Sequence, residues 1–176
     1  MMISNINTYL AIAKDSLARA EDITASQRRP KPDGKPGFII TYDPEQKSFK
    51  YSLITIVFAG IYFDALLYIE GIRRMGKAKF RKMERSTYED KLQAIGIADN
   101  ALLESCERFR KSRNDLVHEK ALEMTSTTTK LRLAQKEAQH AIAFLDHVSP
   151  LLSAPNLHAL TKRAQNAHQL SDRVRQ

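Results

Sequence analysis

The chain is nearly free of cysteine: Cys106 is the single cysteine among 176 residues. One cysteine excludes an intramolecular disulfide and fits a reducing compartment such as the cytoplasm. Because Cys106 falls on the apolar side of a helical pattern, we expect a buried, reduced packing residue. The first residues also lack the basic region and apolar core of a secretory signal, which again favours a cytoplasmic location.

The sequence has no glycine-rich phosphate loop and no internal repeat, so it gives no indication of a nucleotide cofactor of that kind. Metal-ligand spacing is lacking as well. His140 and His147 are seven residues apart on one helical face, but no cysteine or carboxylate accompanies them at ligand spacing. We therefore expect neither a metal nor a cofactor.

Acidic residues are in deficit, with 20 Asp and Glu against 28 Lys and Arg, for a net charge of +8. This balance favours an anionic partner, most often nucleic acid, although a generic basic surface gives the same count. The length is that of one domain with a substantial core, and 43% apolar residues is ordinary for a globular chain.

Apolar periodicity predicts an all-α protein, an up-and-down bundle of four to five helices. The predicted helices run from Ser4 to Ile23, over about 49–75 with an end at Gly76, over about 88–124 with a break near Ser112 or Asn114, and over about 129–148 with Pro150 and Pro155 as stops.

A short β-hairpin insertion is predicted near residues 38–51, from β-favouring stretches at 38–42 and 48–51 around a turn signal. The proline- and glycine-rich basic stretch 26–37 before it is expected to be a loop. We assign residues 1–152 to the helical domain and 153–176 to a C-terminal amphipathic helix, Leu157 to Val174, or a tail.

The run from Tyr51 to Ile69 is almost wholly apolar and nearly long enough to span a membrane. Asp64 lies inside the run, however, and basic residues flank both of its ends, so no orientation is favoured. A helix that is apolar on all sides is also what the centre of a bundle needs, and we interpret the run in this way, without a membrane partner.

Arg113 is the most unusual residue of the third predicted helix, because it lies within an apolar stripe formed by Leu102, Cys106, Phe109 and Leu116. A guanidinium is always charged, and its unpaired burial is very costly. Something facing this stripe must therefore favour a positive charge.

Asn114 follows Arg113 directly, and His118 lies five residues after the arginine. An Arg-x4-His pattern is common by chance, and the chain contains a second one, Arg163 to His168. The second lies beside an apolar stripe and lacks the asparagine, so we interpret it as coincidence.

With Arg113-Asn114-x3-His118 on a long helix of a short basic helical chain, the sequence resembles the HEPN superfamily. The resemblance covers roughly residues 1–152, but its specific part is these three residues. It implies an all-α bundle that dimerises so that two motif helices meet at a shared cleft. Many such proteins are metal-independent endoribonucleases of toxin–antitoxin or phage-defence systems, and others only bind. One toxin subgroup has a tyrosine two residues after the histidine, where this chain has Lys120.

The chemistry of these residues suits RNA cleavage without a metal. A histidine such as His118 can transfer protons near neutral pH, and the guanidinium of Arg113 matches phosphate oxygens with two parallel donors. Asn114 could hold a phosphate oxygen or orient His118. On a straight helix Arg113 and His118 point about 140° apart. The dimer cleft that the resemblance implies would relieve this, because each copy would supply one part of a composite site.

Several further residues are candidates for support or RNA binding. Asp64 and Glu70 are either partners of Arg113 or solvated helix ends, and Lys120 is a third supporting candidate. The basic residues Lys77, Lys79, Arg81, Lys82 and Arg110 are predicted to contact RNA.

Phe80 and Tyr88 are interleaved with these basic residues and could stack on bases, although the pattern of residues 77–88 slightly favours a solvated connector. The sequence thus predicts a homodimeric metal-independent endoribonuclease with RNA and an antitoxin or other neighbouring-gene product as partners. The alternative is a non-catalytic helical interaction or RNA-binding module.

Overall fold

The computed structural model describes residues 5–32, 34–40, 43, 45–117 and 127–154. Over these residues the chain is an all-α bundle with one small antiparallel sheet, which confirms the predicted fold class. The elements in chain order are α1 (Ile6–Ser26), β1 (Arg28–Pro30), β2 (Phe38–Ile40), α2 (Lys47–Met75), α3 (Lys77–Arg81), α4 (Tyr88–Ala94), α5 (Asn100–Val117) and α6 (Thr127–Ser153).

Helix α2 is the central helix and contacts α1 and every helix from α3 to α6. Its residues Ile56, Ala59 and Phe63 are completely buried. By length and composition alone α2 could also cross a membrane, a test that core helices of soluble proteins pass too. Half of its most apolar stretch is buried inside the bundle, as a core helix requires.

The core is organised around Phe63 of α2. Its ring lies edge-on to Tyr88, Phe109 and Phe144, with centroid distances of 5.0, 6.2 and 5.0 Å. These contacts join α2 to α4, α5 and α6, in the T-shaped geometry that aromatic pairs prefer. Cys106 is also completely buried, and burial raises the pKa of its thiol, so the side chain acts as the expected packing residue.

The single third helix predicted over 88–124 is wrong, because the structure has two helices there. Helix α4 begins with a capping box between Thr87 and Asp90 and ends before Gly96, which has a φ of +91°. Asp99 then starts α5 by accepting a 2.8 Å hydrogen bond from the backbone N–H of Leu102. The break therefore lies at residues 95–99, and α5 continues without interruption past Ser112 and Asn114.

The hairpin is present, but its predicted strand pairing is wrong. β2 pairs with β1, which lies in the stretch that was expected to be a loop. Residues 48–51, which were expected to form the other strand, belong to α2. Asp43 explains the early start of α2: its carboxylate accepts hydrogen bonds from the backbone N–H and the hydroxyl of Ser48, at 2.9 and 3.0 Å. This satisfies a donor in the first turn that has no partner within the helix.

The prediction that Pro150 stops the last bundle helix is also wrong, because α6 continues to Ser153. Arg74 of α2 donates to the carbonyl oxygens of Leu151 and Leu152 at 2.9 and 2.7 Å, and Arg73 donates to that of Ala154 at 3.1 Å. These donors satisfy carbonyls that any helix C-terminus leaves without partners, so the last turn is stable despite the proline. The helix predicted from Leu157 to Val174 lies outside the described residues.

Candidate functional site

Arg113 reaches from α5 across the face of α2 at Gly60. A Cβ atom placed on Gly60 would lie 2.5 Å from Nε and 2.8 Å from Cζ of Arg113. Such distances are far inside van der Waals contact, so the guanidinium occupies this position only because residue 60 has no side chain. The neighbouring stripe residues Phe109 and Leu116 are buried as expected, whereas the Arg113 side chain stays 30% exposed.

Asp64 is the carboxylate that faces Arg113. Nη1 of Arg113 donates to Asp64 Oδ2 at 3.3 Å and to the hydroxyl oxygen of Tyr88 at 2.5 Å. Glu70, the other candidate, instead accepts from Nε of Arg73 at 2.5 Å, one turn further along α2. Helices α2, α4 and α5 therefore each supply one part of the arginine site.

Tyr88 remains a neutral hydroxyl at physiological pH. Burial and the nearby Asp64 carboxylate raise its pKa, and these effects outweigh the opposing influence of Arg113. The Asp64 side chain is 47% exposed, so its ion pair with Arg113 is partly solvated and contributes only ~0–1 kcal/mol to folding.

A guanidinium has five N–H donors, and in the described part of the chain Arg113 uses only those of Nη1. Guanidinium donors of this kind bind anions such as a phosphate. Asn114 is exposed next to this position. His118 and Lys120 follow the end of α5 and lie outside the described residues.

The predicted RNA-contacting residues differ in their surroundings. Lys77, Lys79, Arg81 and Lys82 are exposed on α3 and the residue after it. Arg110 is held by Glu89 of α4, whose two carboxylate oxygens accept from its Nε at 3.1 and 3.2 Å.

The idea that Phe80 and Tyr88 present their rings to bases is wrong. Their exposed fractions are only 3% and 7%. Phe80 packs against Gly71, and Tyr88 belongs to the core around Phe63. Tyr68 was not predicted as a candidate from the sequence. Its side chain is 39% exposed, so a ligand can reach this aromatic ring.

A second polar cluster lies between α5 and α6 and was not predicted. Glu137 accepts from Nε and Nη2 of Arg108 at 3.1 and 2.8 Å and from the hydroxyl of Ser112 at 2.6 Å. Next to it, the Ser105 hydroxyl lies 3.0 Å from Nε2 of His140. A sequence signal could have indicated this cluster. Arg108 and Ser112 are four residues apart on α5, and Glu137 and His140 are three residues apart on α6, so each pair lies on one helix face.

This cluster predicts a pH dependence of stability. Burial and the nearby Arg108 lower the pKa of His140, so the unfolded chain takes up a proton before the folded one as the pH falls. The contribution of His140 to folding stability is thus fully present above its unfolded-state pKa of about 6.5. It is lost as the pH falls below that value. Between about pH 7.5 and 5.5 the Tm should fall less for His140→Gln than for the wild type.

The matched control is His147→Gln, at an exposed histidine of the same helix. For Glu137, burial alone would raise the pKa, but the hydrogen bonds from Arg108 and Ser112 lower it overall. Its contribution is therefore lost only at more acidic pH, outside this window. An equal Tm loss in His140→Gln and the wild type would contradict the prediction.

The described structure is thus a basic all-α bundle in which three helices hold one partly exposed arginine. Comparison of the chain with protein-family models, with curated proteins and with solved structures yields no match.

Proposed function

We propose that this protein is a metal-independent endoribonuclease of the HEPN type, which cleaves RNA by attack of the 2′-OH on the adjacent phosphate. The observation that carries the proposal is the position of Arg113. Its guanidinium is fixed on one side by Asp64 and Tyr88 and leaves further donors for an anion. A fixed cationic fork is what a phosphate in the transition state requires.

The energetics of the Arg113 position also favour a functional role. A partly solvated ion pair adds little to folding, and the glycine that makes room for Arg113 costs about 1 kcal/mol in helix propensity relative to alanine. An arrangement with so little benefit to stability suits a residue whose main interaction is with a ligand.

In this proposal His118 is the general acid or base, and Asn114 orients His118 or holds a phosphate oxygen. Each copy of the chain contributes part of a composite site, because helical spacing of about 100° per residue would direct residues five apart, such as Arg113 and His118, about 140° away from each other. The helix carrying Arg113 would lie beside its symmetry mate, with an anion between the two guanidinium groups to offset their repulsion.

We therefore expect a homodimer in solution. Ile54, Val57 and Ile61 form an incompletely buried apolar face of α2 on the N-terminal side of Asp64, and a second copy would cover it. Light scattering at micromolar concentration should report twice the mass of one chain. Ile61→Glu should lower the measured mass to that of a single chain and abolish RNA cleavage.

Ile39→Glu is the matched control for this experiment, because Ile39 is a 50% exposed apolar residue of the hairpin. It should remain dimeric and active. A wild-type protein that is monomeric under these conditions would contradict the dimer and leave no composite site.

The basic test of the activity is incubation of the purified chain with RNA in EDTA. Products with 2′,3′-cyclic phosphate ends are expected, since the 2′-OH is the nucleophile. A requirement for Mg²⁺ would overturn the proposal. The cellular setting we propose is a toxin–antitoxin or phage-defence system, with an antitoxin or other partner encoded nearby. Because Lys120 replaces a tyrosine, inhibition by nucleotide transfer to that position is not expected.

The second candidate is a non-catalytic helical interaction module. The observation in its favour is that Arg113 already has a carboxylate partner, so its charge is balanced without a ligand. In such a module Arg113 and Asp64 would act only in packing α5 against α2, and substitution of His118 would have no effect on RNA.

A further inference from the structure

A small pocket of about 200 Å³ opens directly beside the Arg113 site. It is smaller than the ~300–1,000 Å³ of pockets for drug-sized ligands, and its size therefore suits a single ring system. Asp64, the partner of Arg113, is one of its walls. The residues that line it are Asp64, Leu67, Tyr68, Phe80, Glu84 and Lys91.

The apolar part of the pocket suits a flat ring. Leu67 and Phe80 are almost completely buried, whereas Tyr68 is 39% exposed. The rings of Tyr68 and Phe80 meet edge to face, with centroids 6.1 Å apart and an interplanar angle of 70°. Phe80 is fixed against Gly71, where any Cβ would overlap its ring, so this wall is rigid.

The polar part of the pocket offers two carboxylates and one ammonium group. Asp64 is committed to Arg113 through Oδ2, whereas the Glu84 carboxylate has no ion pair among the described residues. Nζ of Lys91 donates to the backbone carbonyl of Glu84 at 3.1 Å. An ammonium has three donors, so Lys91 keeps others for a ligand.

We propose that this pocket binds the base of a guanine nucleotide and, given the proposed ribonuclease function, selects RNA with a guanine next to the cleaved bond. The Watson–Crick edge of guanine presents two adjacent N–H donors and one carbonyl acceptor. Glu84 would accept from both donors, and Lys91 would donate to the carbonyl. Tyr68 would contact the face of the ring, as aromatic side chains do with unstacked RNA bases.

Uracil is the most stringent comparison for this arrangement, because one of its carbonyls and its N–H can match Lys91 and one oxygen of Glu84. Its second carbonyl, where guanine has an amino group, would face the other oxygen of the Glu84 carboxylate. Adenine and cytosine each offer an amino group but no second adjacent donor. Bidentate matching of this kind discriminates between bases by a factor of about 5–150 in affinity.

Asp64 connects the pocket to the phosphate site. Its carboxylate forms part of the pocket wall and also holds the guanidinium of Arg113. A base in the pocket therefore places its own backbone close to Arg113. The exposed Lys77, Lys79 and Arg81 flank Phe80 on α3, where they can contact neighbouring phosphates.

The test uses the full chain and ligands that it cannot cleave. 2′-O-methyl RNA pentamers that differ only in a central G, A, C or U lack the nucleophilic hydroxyl, and their Kd values are measured by calorimetry. The Kd for the G pentamer should be about ten-fold lower than that for the U pentamer. GMP and UMP, titrated separately, should show the same order.

Glu84→Gln should remove most of the preference for guanine, because the amide replaces one of the two acceptor oxygens with an NH2 donor. Tyr68→Leu should weaken binding of all four pentamers alike. Glu104→Gln, at an exposed glutamate of α5, is the matched control and should keep the wild-type preference. Thermal melting of each variant checks that it is folded.

Equal affinity for the G and U pentamers, or a guanine preference that survives in Glu84→Gln, would overturn the pocket assignment. Binding of GMP but not of the G pentamer supports the pocket with a free nucleotide as its ligand. Guanine preference without RNA cleavage would leave the pocket intact and refute the ribonuclease. Cleavage without any base preference would refute the pocket alone.

Discussion

His118→Ala is expected to lower the rate of RNA cleavage by a factor of about 10²–10⁴, the usual contribution of a general acid or base. The rate should be measured under single-turnover conditions in EDTA, so that product release does not mask the chemical step. RNA affinity should change little, because the phosphate contacts of the proposed site come from Arg113 and the exposed lysines of α3.

The chain provides its own control for this variant. His168 belongs to the second Arg-x4-His pattern, which we interpret as coincidence, and His168→Ala should cleave RNA like the wild type. Cleavage that persists in His118→Ala would remove the basis for assigning the activity to this motif. A loss that appears only with a large fall in Tm would instead point to an effect on folding.

The helices of the bundle were predictable because burial of one face imposes a period on the sequence. The buried stripe of Leu102, Cys106 and Phe109 follows from this period, whereas the end of α2 at Gly76 follows from the glycine itself, which adopts a positive φ. The central position of α2 follows from its apolar residues on all sides, which only contacts with several helices can cover.

Other features depend on contacts that a local pattern cannot show. Asp43 starts α2 early by binding Ser48, so a stretch that favours a strand became helical. Arg74 stabilises the carbonyls at the end of α6, so Pro150 did not end the helix. Each outcome was decided by a hydrogen bond between residues whose proximity the fold determines.

The candidate site was likewise predictable only in part. A charge within an apolar stripe requires a partner, and the sequence reduced the choice to Asp64 or Glu70 of α2. Only the crossing of α5 over α2 at Gly60 decides for Asp64. The exposure of the Arg113–Asp64 pair also determines how much the pair stabilises the fold. Breaking a buried ion pair would cost ~3–5 kcal/mol, whereas breaking a partly solvated pair costs far less.

Arg113→Ala is therefore expected to lower the cleavage rate by about 10²–10³, as the loss of one transition-state donor does, with little change in stability. An ion pair worth up to ~1 kcal/mol corresponds to a Tm shift of at most about 4 °C in a chain of this length. Asp64→Asn should retain more activity, because Tyr88 and the surface of α2 still position the guanidinium. Single-turnover rates and melting curves of the variants give the comparison.

Gly60→Ala separates the position of Arg113 from its charge. The added methyl group would lie 2.5 Å from Nε, so the guanidinium must move while every charged group is kept. Cleavage should fall, although alanine favours the helix by up to about 1 kcal/mol. Arg108→Ala is the control: it breaks the ion pair with Glu137 outside the site, so stability should fall while cleavage by the folded protein persists. If Arg113→Ala and Gly60→Ala lower only the Tm and leave cleavage unchanged, Arg113 is a structural residue and the cleavage must be assigned to other residues. The interaction module is the better assignment if the wild-type protein does not cleave RNA.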